Sequence, residues 1–148
     1  MRVLLQRVTK ASVTVADVRI AEIGVGLLAF VGVFPGDGDA EVKWLADKVL
    51  GLRIFPEQGS KDGSMNASLN DLNAELLVVS QFTLAADVSR GRRPGFSTAA
   101  PPELAERVYN DFVSAVSDRG VRVATGQFGA DMLVDLANDG PVTFLLEK

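Results

Sequence analysis

The chain has 148 residues and a formal net charge of −4, and it contains neither His nor Cys. That length fits a single domain, 1–148, expected to bury roughly 68–70% of its unfolded surface. The two missing residue types exclude a Ser-His-Asp triad, a cysteine nucleophile, an imidazole or thiolate zinc site and a disulfide framework. Catalysis is left to Ser, Thr, Tyr, Lys, carboxylates, backbone amides or a group on the substrate.

Hydrophobic residues make up 47% and charged residues 23%, a globular balance that argues against disorder. The opening MRVLLQRV carries Arg2 and Arg7 and lacks the apolar run of a signal peptide. The longest apolar stretch, Ile23 to Phe34, is interrupted by three glycines and is too short to cross a bilayer. The expectation is a soluble cytoplasmic protein with no membrane partner.

In chain order, Met1 to Val8 reads as a strand, Thr9-Lys10 as a break, Ser12 to Val15 as a second strand and Val18 to Ile23 as a third. A turn at Gly24-Val25-Gly26 leads to Leu27–Val33, whose continuous apolar character predicts a strand buried on both faces. Pro35 to Asp39 breaks the pattern, with Asp39 placed to cap a helix over Ala40–Leu50 that ends at Gly51. Leu52–Phe55 is a short strand, and Pro56–Asn66, rich in Gly, Ser and charge, is the candidate mobile insertion. Glu75–Leu84 predicts a central strand and Ala85–Ala100 a long polar loop. A second helix opens at Pro101-Pro102, presents Leu104, Val108, Phe112, Val113 and Val116, and ends at Gly120. Strands return in the tail at Val121–Thr125, Met132–Leu136 and Val142–Leu146. The fold class is α+β: a bent sheet or barrel with two main helices.

Gly24-Val25-Gly26-Leu27-Leu28-Ala29 fits a dinucleotide fingerprint in letters only, because the following residues have strand rather than helix character. A hairpin turn is expected there instead. Asp131, Asp135 and Asp139 would share a helical face as cation ligands, but Met132, Val134 and Leu136 alternate as in a strand. A strand places Asp131 and Asp135 roughly 13 Å apart, too far for one ion.

In Ser80-Gln81-Phe82-Thr83, a strand would put Gln81 and Thr83 on one side and Ser80 and Phe82 on the other. Pattern alone reads this as a strand reaching its polar rim; the alternative is an amide, a hydroxyl and free backbone amides that bind a carbonyl and its oxyanion. Thr83 has no His to activate it, which leaves a covalent threonine mechanism without a base. Gly140-Pro141 reads first as a turn between strands and alternatively as a rigid wall beside a ligand. Arg90, Arg92 and Arg93 fall within four residues beside Phe96, either a solvated loop or a phosphate-binding patch with an aromatic near a base.

Taken together, these segments resemble the D-aminoacyl-tRNA deacylase family from end to end. The resemblance is carried by Gln6-Arg7-Val8, Ala11 to Val15, Leu52 to Phe55, Ser80-Gln81-Phe82-Thr83-Leu84, Gly91 to Pro94, Phe128 to Met132 and Asn138 to Thr143. The family usually has an aromatic where this chain has Ala85, Ser where it has Gly95, and a shorter loop than Pro56–Asn66.

The resemblance implies a homodimer with two active sites at the subunit interface and no cofactor or metal. Ser80, Gln81, Phe82 and Thr83 would form the catalytic strand, with amides around Phe82 and Thr83 on the ester carbonyl and the terminal adenosine near Phe82. A cis Gly140-Pro141 unit would enter the partner's pocket and reject L-aminoacyl groups, supported by Arg7, with Met132 nearby. The implied substrate is tRNA charged with D-amino acids, with glycine a further candidate, contacted by Arg90, Arg92 and Arg93. The competing classes are a non-catalytic module that grips a single-stranded tRNA end, and a metal-dependent hydrolase using the aspartates.

Overall fold

One strand organises the sheet. β1 (Arg2–Val15) is 14 residues long and continuous through Thr9-Lys10, where a break was expected. Its residues 2–8 pair with β3 (Gly26–Gly32), its residues 11–15 pair along the same edge with β2 (Val18–Ile23), and its other edge carries β8 (Leu133–Glu147). The structure, a computed structural model, describes residues 1–57, 59 and 63–148.

The signal at Thr9-Lys10 marks a real irregularity of a different kind. Thr is β-compatible and neither residue is Gly or Pro, so the strand bends rather than stops. Opposite it, Ile23 pairs with Ala11 and Gly26 with Val8, so Gly24-Val25 is an in-register kink between two collinear strands, not the expected hairpin turn. Gly26 is required there because a Cβ would lie 1.9 Å from the Glu75 carbonyl oxygen. No helix begins at this glycine pair, as the strand character of Leu27–Val33 predicts.

On the other edge, Val8 pairs with Asn138 and Gln6 with Thr143, so β1 advances two residues while β8 advances five. The extra residues form a bulge carrying Asp139-Gly140-Pro141 inside one long strand, where two strands and a turn were expected. The irregularities of the three strands lie at one level, and the sheet bends there.

β3 and β6 (Glu75–Ser80) are parallel, as are β6 and β7 (Val123–Thr125), so each pair needs a helical crossover. α1 (Asp39–Gly51) supplies the first and α2 (Pro102–Ser117) the second. α1 begins one residue before the expected start: Gly38 is its cap, with the Glu41 carboxylate accepting the Gly38 N–H at 3.0 Å, and Asp39 lies inside the first turn rather than capping it. The result is the α+β architecture expected, a nearly closed mixed sheet with two helices. β4 (Phe55–Pro56) and β5 (Met65–Ala67) form a small separate ribbon. The strand expected over Leu52–Phe55 is thus confined to its last residue. The insertion expected over Pro56–Asn66 lies partly outside the described residues.

β3 and β6 are buried on both faces, as their unbroken apolar runs predict. Leu27, Ala29, Val31, Leu76 and Val78 pack toward the helices, while Leu28, Leu77 and Val79 pack into a second core with Val8, Val13 and Ile23. α2 contributes Val108, Tyr109, Phe112 and Val116, and Gly120 takes φ +82° just past its end.

Two glycine substitutions test this packing. Gly26→Ala drives a methyl group into the Glu75 backbone and should cost about 2–3 kcal/mol, read as a lower urea midpoint at unchanged slope. Gly51→Ala, in a helix with nothing within 4 Å of its added Cβ, should instead stabilise by about 0.5–1 kcal/mol.

Candidate active site

The site is built where β6 ends. Gln81 N–H makes the last bond along β3, to the Val31 carbonyl at 2.8 Å. The chain then turns: Leu84 N–H bonds the Gln81 carbonyl at 3.1 Å and Ala86 N–H the Thr83 carbonyl at 3.2 Å, giving a 3₁₀ turn over Phe82–Ala85. The strand expected to run to Leu84 therefore stops at Ser80, and the predicted alternation of Gln81 and Thr83 against Ser80 and Phe82 does not hold. Gly32 makes the turn possible, since a Cβ there would stand 2.8 Å from Leu84 Cβ and 3.2 Å from the Gln81 carbonyl oxygen.

The turn has a chemical consequence. The first N–H groups of a helical turn have no partner within it. Among the described residues nothing accepts a bond from the main-chain N–H of Phe82 or Thr83. The Gln81 side-chain amide donates to Thr83 Oγ1 at 2.5 Å, which holds the threonine hydroxyl beside these amides and gives it a donor rather than a base.

Beside the turn is a cavity of about 460 Å³ lined by Ser80, Gln81 and Phe82 on one side and by Phe128 to Met132 on the other, with Val79 and Val134 behind. The start of α2 closes a third wall through Pro102 and Ala105. The Val78 carbonyl ties these walls together, accepting the Tyr109 hydroxyl at 3.0 Å and the Gly126 N–H at 2.9 Å. The Tyr109 ring also packs on Phe128, with centroids 6.1 Å apart. Burial pushes the Tyr109 hydroxyl up to about 12, so it remains a donor throughout the neutral range. Gly126 leaves room for Met132, whose sulfur would lie 2.7 Å from a Cβ at that position.

Of the residues singled out from sequence, Ser80, Gln81, Phe82 and Met132 thus share one cavity, and Thr83, next in the chain after Phe82, is bonded to Gln81 without itself lining the cavity. Gly140, Pro141 and Arg7 do not line it. They gather at the β8 bulge, where the Gly140–Pro141 peptide is cis and both residues are exposed. Buried Arg7 underlies the bulge: its Nη1 donates to the Ile54 carbonyl at 2.5 Å, and its Nε lies 2.8 Å from Asp139 Oδ2, close for the charges although the N–H is not aligned for a hydrogen bond. Asn138 Nδ2 spans the bulge, donating to the Arg7 carbonyl at 2.9 Å and the Val142 carbonyl at 3.2 Å.

Arg90, Arg92 and Arg93 project from a loop closed by paired Asp87 and Gly95 bonds of 2.8 and 2.9 Å, and among the described residues none has an acidic partner. The three aspartates weighed as metal ligands are dispersed: Asp139 is engaged with Arg7, Asp135 lies on β8 and Asp131 precedes that strand at the cavity wall. Sequence reasoning missed Tyr109, Pro102 and Ala105. The first could have been found, because Ala105, Tyr109, Phe112 and Val116 follow helical spacing toward the core.

The profile of a family described as "D-Tyr-tRNA(Tyr) deacylase" matches residues 4–147. A D-aminoacyl-tRNA deacylase of Xanthomonas oryzae pv. oryzae (strain MAFF 311018) is 59% identical over 148 residues, covering 99% of each chain. One of Pelobacter propionicus is 52% identical and covers 100% of both. Among solved structures, a chain described as "c-Myc DNA Unwinding Element Binding Protein" superposes with a TM-score of 0.92 at 39% identity, covering 100% of this chain and 99% of the other. A chain described as "a probable eukaryotic D-amino acid tRNA deacylase" shares the fold, with a TM-score of 0.82 at 21% identity over 98% of this chain and 97% of its own. With the family profile spanning nearly every residue and close relatives covering the whole length, the chain belongs to the D-aminoacyl-tRNA deacylase family of hydrolases that act on aminoacyl-tRNA.

Proposed function

We propose that the protein hydrolyses the ester joining a D-amino acid to the terminal ribose of tRNA, releasing the free D-amino acid and tRNA. The observation that carries this reading is the pair of free main-chain N–H groups at Phe82 and Thr83, set beside a cavity in a chain without His or Cys. An aminoacyl ester is already activated, so positioned donors and a held water suffice. Water attacks the carbonyl carbon, the two N–H groups receive the oxyanion, and collapse breaks the bond to the ribose oxygen. That oxygen takes the proton given up by the attacking water, directly or relayed through the neighbouring ribose hydroxyl. Thr83 orients the ester through its bond with Gln81 and is not the nucleophile.

Chirality is read by Gly140 and Pro141, presented from a second copy of the chain. Within one protomer the bulge lies outside the cavity, and β8 around it displays Leu133 at 63% and Leu145 at 51% exposure, an apolar surface suited to a partner. Arg7 and Asn138 brace the bulge for that role. Arg90, Arg92 and Arg93 contact tRNA phosphates. The enzyme acts in the cytoplasm as a proofreading step for translation, with glycyl-tRNA a further substrate. The competing reading, a nucleic-acid-binding module without turnover, is favoured by the open arginines and by the likeness to the solved chain described as "c-Myc DNA Unwinding Element Binding Protein".

Three measurements test these assignments. Incubated in chelator with tRNA charged with D-tyrosine or L-tyrosine, the protein should release only the D-amino acid; binding without release from either would establish the binding module. Thr83→Val should lower kcat by less than about tenfold, whereas a loss near the 10⁴–10⁶-fold of a deleted nucleophile would restore a covalent mechanism. Leu145→Asp would bury an unpaired carboxylate in the dimer contact and should convert the sedimenting species to monomer.

A further inference from the structure

Two large aromatic side chains stand open to solvent at the mouth of the cavity. Phe82 is 57% exposed and Phe96 44%, with ring centroids 5.1 Å apart and planes tilted by 49°. Burying such rings is ordinarily favourable by a few kcal/mol, so leaving two of them side by side in solvent needs a reason. Only Phe82 contributes to the cavity lining; Phe96 lies outside it.

Phe96 is also held in place. It follows directly on the Asp87–Gly95 pair of main-chain bonds, its own carbonyl accepts the Ala99 N–H at 3.0 Å, and Thr98 Oγ1 donates to the Ala85 carbonyl. Asp87, the one acid of the loop, is turned to the Ser89 N–H at 2.9 Å, and its hydrogen bonds to Ser89 hold its carboxyl below the usual range. The guanidinium groups of Arg90, Arg92 and Arg93 are left as the exposed charge beside the rings. Arg93 lies within about 10 Å of Phe96 along the chain, the scale of one nucleotide.

We infer that the Phe82–Phe96 pair, flanked by Arg90, Arg92 and Arg93, forms a second nucleotide subsite that stacks the penultimate base of the tRNA acceptor end. The inference rests on the proposed reading of the cavity as the seat of the terminal nucleoside and its ester. A strand leaving that cavity passes over the exposed face of Phe82, and its next base meets Phe96 while its phosphates meet the arginines. Aromatic faces accept any base, and guanidinium groups neutralise the backbone, which is the usual division of labour in single-strand binding. The subsite explains how the enzyme can hold a tRNA end independently of the amino acid it carries.

The test is a binding cycle on the whole protein, using a fluorescein-labelled RNA hairpin with a single-stranded CCA end and the same hairpin with an abasic penultimate residue. Phe96→Ala should weaken binding of the first about tenfold and of the second less than about twofold, and Phe96→Trp should restore it. The combined Arg90→Ala, Arg92→Ala, Arg93→Ala variant should flatten the log–log salt dependence by about two. For hydrolysis of D-tyrosyl-tRNA, Phe96→Ala should raise KM by a similar factor at unchanged kcat. Equal weakening of both hairpins, no weakening of either, or no binding by the parent protein would overturn the subsite. The base-dependent loss in a protein that releases no D-tyrosine would keep the subsite and sink the deacylase reading.

Discussion

The pairing of β1 with three other strands is the constraint on which the rest of the structure depends. One edge is divided between β3 and β2, and the other is taken by β8, so the alignment of every neighbour is referred to the same 14 residues. The bend at Thr9-Lys10 is shared by the Gly24-Val25 kink and the β8 bulge. It lets a single sheet enclose one core against the helices and a second within its own curve. Arg7, two residues before Thr9, is the buried charge that ties this level of the sheet to the loop at Ile54 and to Asp139. Leaving such a cation without those partners would be costly, which favours one arrangement of the bulge over others.

The same economy operates at the end of β6. The ladder bonds that fix Ser80 and Gln81 against β3 run out at Val31, and the chain turns before the next pair of amides can be satisfied. Two donors are thereby left pointing out of a rigid strand end. Donors fixed before the substrate arrives need little reorganisation when charge develops, which is the main advantage of backbone over side-chain groups in such a role. The Val78 carbonyl, shared by Tyr109 and Gly126, holds the two walls of the cavity at a set separation.

Elements with strong periodicity were legible from sequence. The helices over Asp39–Gly51 and Pro102–Ser117 follow their apolar spacing and terminal residues, and the double burial of β3 follows from its unbroken apolar run. What escaped was the meaning of local breaks. Thr9-Lys10 reads as a break, and Gly24-Val25-Gly26 and Gly140-Pro141 as turns, because glycine, proline and polar pairs signal departure from a straight strand without saying whether the chain reverses or only kinks. The distinction depends on cross-strand partners, which no single segment contains. For the site, the motif through Ser80 to Leu84 located the strand end, but the 3₁₀ turn that frees two amides depends on Gly32, fifty residues earlier. The separation of the Gly-Pro bulge from the cavity within one chain is likewise a tertiary fact.

The irregularities opposite β8 carry a rule about chain length. Between the pairs Lys10–Ala137 and Gln6–Thr143, β1 advances four residues and β8 six. Val134, opposite Val13, packs into the second core, whereas Val142 and Leu146 pack into the core against the helices, so the even-numbered residues of β8 face opposite sides of the sheet before and after the bulge. The bulge adds three residues to β8 relative to β1 and the irregularity between Val8 and Lys10 removes one, a net of two. A one-residue insertion or deletion at either place would therefore turn the whole stretch from Thr143 to Glu147 over, exchanging its two faces, whereas a two-residue change would leave them in place. Length variation at this bulge should come in pairs.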